Sequence, residues 1–113
     1  MALLVEGPHP IVTDGENVFM GMFSLAPGGA VPSHIHERQK ETFIAIAGTT
    51  ELWIDRDERV VLTPGSSREI ATGVEHYLRN PGLTPTLVCY VKTPNFADDR
   101  ILTGWEPQSG TES

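Results

Sequence analysis

Residues 28–48 read GGAVPSHIHERQKETFIAIAG, and this stretch decides both the fold and the chemistry of the chain. The pair Gly28-Gly29 breaks the preceding segment. His34 and His36 follow at positions i and i+2, and in a strand two such side chains emerge on the same face. The polar stretch Glu37–Lys40 then turns the chain, and Glu41 opens the apolar strand that follows. That return can bring the carboxylate back beside the imidazoles. Of the four histidines in the chain, a third, His76, sits in the strand candidate Glu75–Arg79 after the turn Ala71-Thr72-Gly73. Three neutral imidazoles and a carboxylate form a mixed nitrogen and oxygen donor set. It suits one divalent transition metal (Fe, Mn, Ni, Cu or Zn) better than Mg or Ca, which prefer oxygen throughout. Four protein ligands leave an octahedral ion two open positions, so catalysis is chemically possible.

Working outward, eleven Gly and nine Pro cut the whole chain into short segments. Between the breaks the residues are rich in Val, Ile, Phe, Leu, Thr and Trp, which read as strands. The expected strands are Val18–Leu25, Thr42–Ala47, Glu51–Ile54, Arg59–Leu62, Glu75–Arg79 and Thr86–Lys92. Ala26-Pro27-Gly28-Gly29, Thr63-Pro64-Gly65 and Asn80-Pro81-Gly82 carry turn chemistry, and Asp55–Glu58 has hairpin length. No segment sustains a helical apolar period; Asn95–Ile101 is the best candidate, for one or two turns. Many short strands with regular turns predict an all-β antiparallel sandwich or barrel in one domain spanning 1–113, with a frayed tail over 108–113.

The spacing now supports a comparison. Gly28, five residues, His34, one residue, His36, four residues, Glu41, six residues and Gly48 resemble the first motif of the cupin superfamily. Gly65, five residues, Ala71-Thr72-Gly73, two residues, His76, three residues and Asn80 resemble the second. One position departs, because Ala71 stands where the family usually has Pro. It removes no ligand, and the turn is still expected to close through Gly73. The resemblance implies a double-stranded β-helix or jelly-roll barrel, a metal held by His34, His36, Glu41 and His76, and a homodimer. It also implies a catalytic role for Glu41, which would leave the metal transiently to act as a base.

Composition narrows the function classes. At 113 residues the chain suits one domain. Eight Lys and Arg against 15 Asp and Glu give a formal charge of -7, with no basic stripe for nucleic acid or an anionic membrane surface. No run of about 18 apolar residues exists. The N-terminal MALLVEGPHP lacks the basic and apolar regions of a signal peptide, so the expected location is cytoplasmic. Cys89, the single cysteine, reads as a buried residue rather than a reactive thiol. His9 lies outside both motifs and reads as a surface residue. The glycines read as turn residues, because no Gly-rich loop leads into a helix as a phosphate cradle would. Trp53 and Trp105 read as packing or oligomer contacts.

Alternation suggests what shares the interior with the metal. Counting in twos from Glu41 gives Phe43 and Ala45; from His76 it gives Val74 and Leu78, with Arg79 pointing away. The strand Val18–Leu25 splits into a Met20 and Met22 set and a Phe19, Gly21 and Phe23 set. Met20 and Met22 join Phe43, Ala45 and Leu78 as the expected substrate-facing residues. Arg38 is the cation expected at the mouth. Such an apolar pocket suits a small neutral, aromatic or enolisable molecule. The leading function is therefore a metal-dependent enzyme resembling the dioxygenase-like cupins. A redox-neutral isomerase, lyase or cyclase using the same Lewis acid is the second reading, and a non-catalytic binding or sensing barrel the third.

Overall fold

A computed structural model describes residues 5–6 and 11–107. Its strands are β1 (Val5–Glu6), β2 (Ile11–Asp14), β3 (Phe19–Leu25), β4 (Ala30–Ile35), β5 (Lys40–Ala47), β6 (Thr50–Ile54), β7 (Glu58–Leu62), β8 (Ser67–Ile70), β9 (His76–Arg79), β10 (Thr86–Thr93) and β11 (Ile101–Leu102). All pairings are antiparallel. One sheet runs β1-β3-β10-β5-β8, with β2 also on β3; the other runs β11-β4-β9-β6-β7. The expected all-β double-stranded β-helix is what forms. His9 and the tail 108–113 lie outside the described residues.

Each sheet alternates, and the inward residues meet in one core. Phe23 and Leu25 of β3, Phe43 and Ala45 of β5, and Val88 of β10 face Leu52, Leu62 and Leu78 from the other sheet, with Ile70 at the end of β8. The hydrophobic effect drives this closure, because neither sheet could leave such a face in water. The expected turns hold. Ala71 accepts a hydrogen bond from Val74 N, Gly73 takes a φ of 84°, and Gly73 N donates to His36 O at 2.8 Å. Gly73 supplies the left-handed conformation, so the missing proline costs the turn nothing visible.

Two expectations need correction. Asn95–Ile101 forms no helix; it is an irregular segment with Asp98 at a φ of 63°, ending in β11. The interior set of β3 is Phe19, Gly21 and Phe23, not Met20 and Met22. Across β10, Phe19 opposes Lys92, which opposes Glu41, and Phe23 opposes Val88, which opposes Ala45. Opposed residues share a face, so Met20 and Met22 lie on the side of the sheet away from Glu41, half-buried. The sequence alternation was equally apolar in both registers, and only the pairing chooses between them.

Candidate metal centre

The four expected ligands come together at one end of the barrel, and all four are buried. His34 lies in β4 in direct register with His76 of β9, which sets the two rings 4.2 Å apart between centroids. His36 follows just beyond the end of β4, with its ring centroid 4.8 Å from that of His34. Glu41 arrives from the opposite sheet, on β5, and its Oε1 lies 2.9 Å from His36 Nε2, 3.1 Å from His76 Nε2 and 3.9 Å from His34 Nε2. The centre therefore bridges the two sheets.

Every imidazole is held through its other nitrogen. His34 Nδ1 donates to Pro32 O at 2.7 Å, and His76 Nδ1 donates to Val74 O at 3.0 Å, each two residues back. His36 Nδ1 donates to the Asp99 carbonyl. A neutral imidazole has one N–H, so all three Nε2 atoms present lone pairs to the centre. Burial pushes the His34 pKa down, which favours that neutral form despite the Glu41 carboxylate. Burial also opposes the charge on Glu41, and its carboxyl is held well below the usual range only where positive charge, on the facing imidazoles or on an ion among them, offsets that cost.

Lone pairs facing an anionic oxygen at hydrogen-bond distance repel one another unless a cation lies between them. A divalent transition metal relieves that conflict. Two donors each about 2.1 Å from an ion and at a right angle stand about 3.0 Å apart, which is the spacing of Glu41 Oε1 from His36 and His76. The donor set fits the ion that the sequence implied.

Asp99 is a functional residue that the sequence reading missed. Besides its carbonyl on His36, its carboxylate accepts the backbone N–H groups of Glu37 (2.9 Å) and Arg38 (2.7 Å). It thereby fastens the turn that leads from His36 to Glu41. Burial raises the Asp99 carboxyl, but the Arg38 and Glu37 amides outweigh that and hold it below its ordinary value. No local pattern signals this contact, which joins residues about sixty positions apart in the segment read as helix.

Phe43 stands against His76, centroids 5.6 Å apart. Ala45 and Leu78 face inward as expected but lie in the sealed core. Beside the centre, reached through Asp99 rather than through any of the four ligands, lies a cleft of about 590 Å³ lined in part by Phe19, Tyr90, Lys92, Asn95 and Arg100. Phe19 and Tyr90 stack at 5.8 Å. A Cβ at Gly21 would meet Tyr90 Oη at 2.8 Å, so the bare glycine makes room for the phenol inside the barrel. Arg38, the cation expected at the mouth, is exposed and lies over the Phe96 ring at 4.3 Å; Lys92 lines the cleft instead. Arg79 points out of the barrel onto Glu51, as its parity predicted. Trp53 and Trp105 pack edge to face at 5.9 Å on the same outer surface. Cys89 is buried, and burial pushes its thiol up, against a reactive thiolate.

Comparison with known proteins agrees with this geometry. Xanthan biosynthesis protein XanB of Xanthomonas campestris pv. campestris (strain B100) is 26% identical over 104 residues, 92% of this chain and 22% of XanB. Mannose-1-phosphate guanylyltransferase of Klebsiella pneumoniae is 30% identical over 97 residues, 85% of this chain and 20% of that enzyme. The chain thus spans about a fifth of the length of these relatives. Among solved structures, a conserved protein with a double-stranded β-helix domain from Klebsiella pneumoniae subsp. pneumoniae MGH 78578 superposes with a TM-score of 0.76 at 22% identity, covering 85% of this chain and 83% of that one. Residues 21–91, which carry all four candidate ligands and the core between the sheets, match the Cupin_2 family of cupin domains. With two sheets wound as a double-stranded β-helix and a His-His-Glu-His centre between them, this chain belongs to that family.

Proposed function

We propose that the chain is a metal-dependent enzyme acting on a small enolisable or aromatic molecule, with oxygen-consuming chemistry of the dioxygenase type. One observation carries the reading: three imidazole Nε2 atoms and a carboxylate oxygen converge in a buried centre that adjoins an aromatic-walled cleft. A divalent transition metal bound there would supply Lewis acidity toward a substrate oxygen and, for a redox-active ion, electron exchange with dioxygen. His34, His36, Glu41 and His76 would hold it. The carbonyls of Pro32, Asp99 and Val74 keep the three rings aimed and in the right tautomer. Phe43 and the core beneath it exclude water from the closed side. Glu41 turns Oε1 toward the Nε2 atoms of His36 and His76, which leaves Oε2 as the oxygen that would take a proton from a bound substrate.

The test is elemental analysis of the purified protein, then turnover of diketone and catechol substrates in an oxygen electrode and under argon. The expected result is about one transition-metal ion per chain and substrate loss matched by oxygen uptake. Turnover at the same rate under argon would replace the oxygenase reading with a redox-neutral isomerase, lyase or cyclase. Metal binding without turnover in either atmosphere would leave a binding barrel.

A further inference from the structure

We propose that the substrate of this centre carries a carboxylate, and that Lys92 is the residue that anchors it. The inference rests on the metal-enzyme reading and adds to it the chemical class of the substrate. Lys92 occupies β10 between Phe19 of β3 and Glu41 of β5, in direct register with both. Its side chain is therefore on the interior face, one strand from a metal ligand, and it lines the cleft. Although Glu41 is its cross-strand neighbour, Lys92 makes no ion pair with it or with any other carboxylate among the described residues. The ammonium instead stands over the aromatic shelf, 5.5 Å from the Tyr90 centroid and 6.0 Å from that of Phe19.

The acids that share the cleft are in part committed. Asp99 caps the turn after His36, and Asp14 Oδ1 accepts the Asn95 amide at 2.7 Å; Asp98 stands on the irregular segment at the rim. Arg100, the other cation of the cleft, also springs from that segment rather than from a strand in register with a ligand. With Glu41 ionised and three neutral imidazoles, a divalent ion leaves the centre with one positive charge, and Lys92 adds a second. A molecule that offers one oxygen to the metal and a carboxylate to Lys92, with its apolar part on Phe19 and Tyr90, answers both charges and the aromatic wall. A neutral substrate leaves the ammonium without a partner in a partly desolvated site, and unpaired polar groups of that kind discriminate strongly.

The test uses protein loaded with zinc, and calorimetric binding of mandelate and of its uncharged counterpart, mandelamide. The wild type should bind mandelate at least about tenfold more tightly than mandelamide. Lys92→Met should lose that difference, Lys92→Arg should keep most of it, and elemental analysis should find the metal content of both variants unchanged. Equal mandelate affinity in the wild type and Lys92→Met overturns the anchor, as does a wild type that binds the amide as well as the acid or that binds neither. Preference for the acid, lost in Lys92→Met, in a protein that takes up no metal would retain the anchor and overturn the metal-enzyme reading. The two failures are therefore distinct.

Discussion

The histidines of the centre are fit to be ligands because something else fixes their far sides, and the least obvious of these supports is Asp99. Two of the three Nδ1 atoms bond to a carbonyl two residues back in the chain, whereas His36 depends on a carbonyl delivered by the segment after β10. The Asp99 carboxylate holds that segment in place by accepting two amides of the β4–β5 turn. Asp99→Ala removes both acceptors and should cost about 2 kcal/mol in a urea titration. It should also weaken metal binding about tenfold or more, as loss of an orienting partner does; unchanged affinity in a competition assay with a chelator would show that His36 needs no such support. The four ligands themselves were legible in the sequence, because their spacing is local and the chemistry of their types is narrow. Asp99 and Lys92 were not, since each acts on residues brought near only by strand pairing.

Between strands, the outer face of the five-stranded sheet shows how cross-strand chemistry sets stability. Glu51 of β6 is buried and directly opposes Arg79 of β9. It accepts Arg79 at 2.6 Å, Arg59 of β7 at 2.5 Å and the Trp53 indole at 2.9 Å. Burial opposes the Glu51 charge, but Trp53, Arg59 and Arg79 together outweigh it and hold the carboxyl below its ordinary 4.5. A depressed folded pKa contributes stability above the unfolded value, and that stability fades as the pH falls through the folded value. Glu51→Gln should therefore destabilise the barrel by about 2 kcal/mol at pH 7. The gap between variant and wild type should narrow in urea titrations below pH 4; a gap that is constant with pH would mean that the ionised carboxylate contributes nothing. At this scale the long apolar strands β3, β5, β6 and β10 were readable to within one or two residues. The edge strand β8 was not, because in Ser67–Ile70 only Ile70 turns fully inward and the rest is polar. Nor was the inward face of β3, where both alternating sets are apolar.

For the molecule as a whole, the question is whether the metal holds the barrel together or only sits in it. The centre joins the two sheets at one end, but the nine-residue apolar core joins them along their length without any help from His34, His36, Glu41 or His76. Folding is therefore expected not to require the ion, in contrast to small zinc domains where metal binding supplies the folding free energy. An ion that binds only the folded state still adds RT ln(1 + [L]/Kd), about 4 kcal/mol at a thousandfold excess over Kd. Wild-type protein stripped with a chelator should keep its β-sheet circular dichroism and melt at a lower temperature, and metal should restore the difference. His36→Ala loses one donor of four and the one carried by the turn rather than by a strand. Its metal content should fall sharply, its spectrum should stay that of a β-barrel, and its melting temperature should no longer respond to metal. Full occupancy in elemental analysis would mean that His36 is not a ligand. Loss of the β-sheet spectrum would mean that the site is structural, and the enzyme reading would then be the first to go.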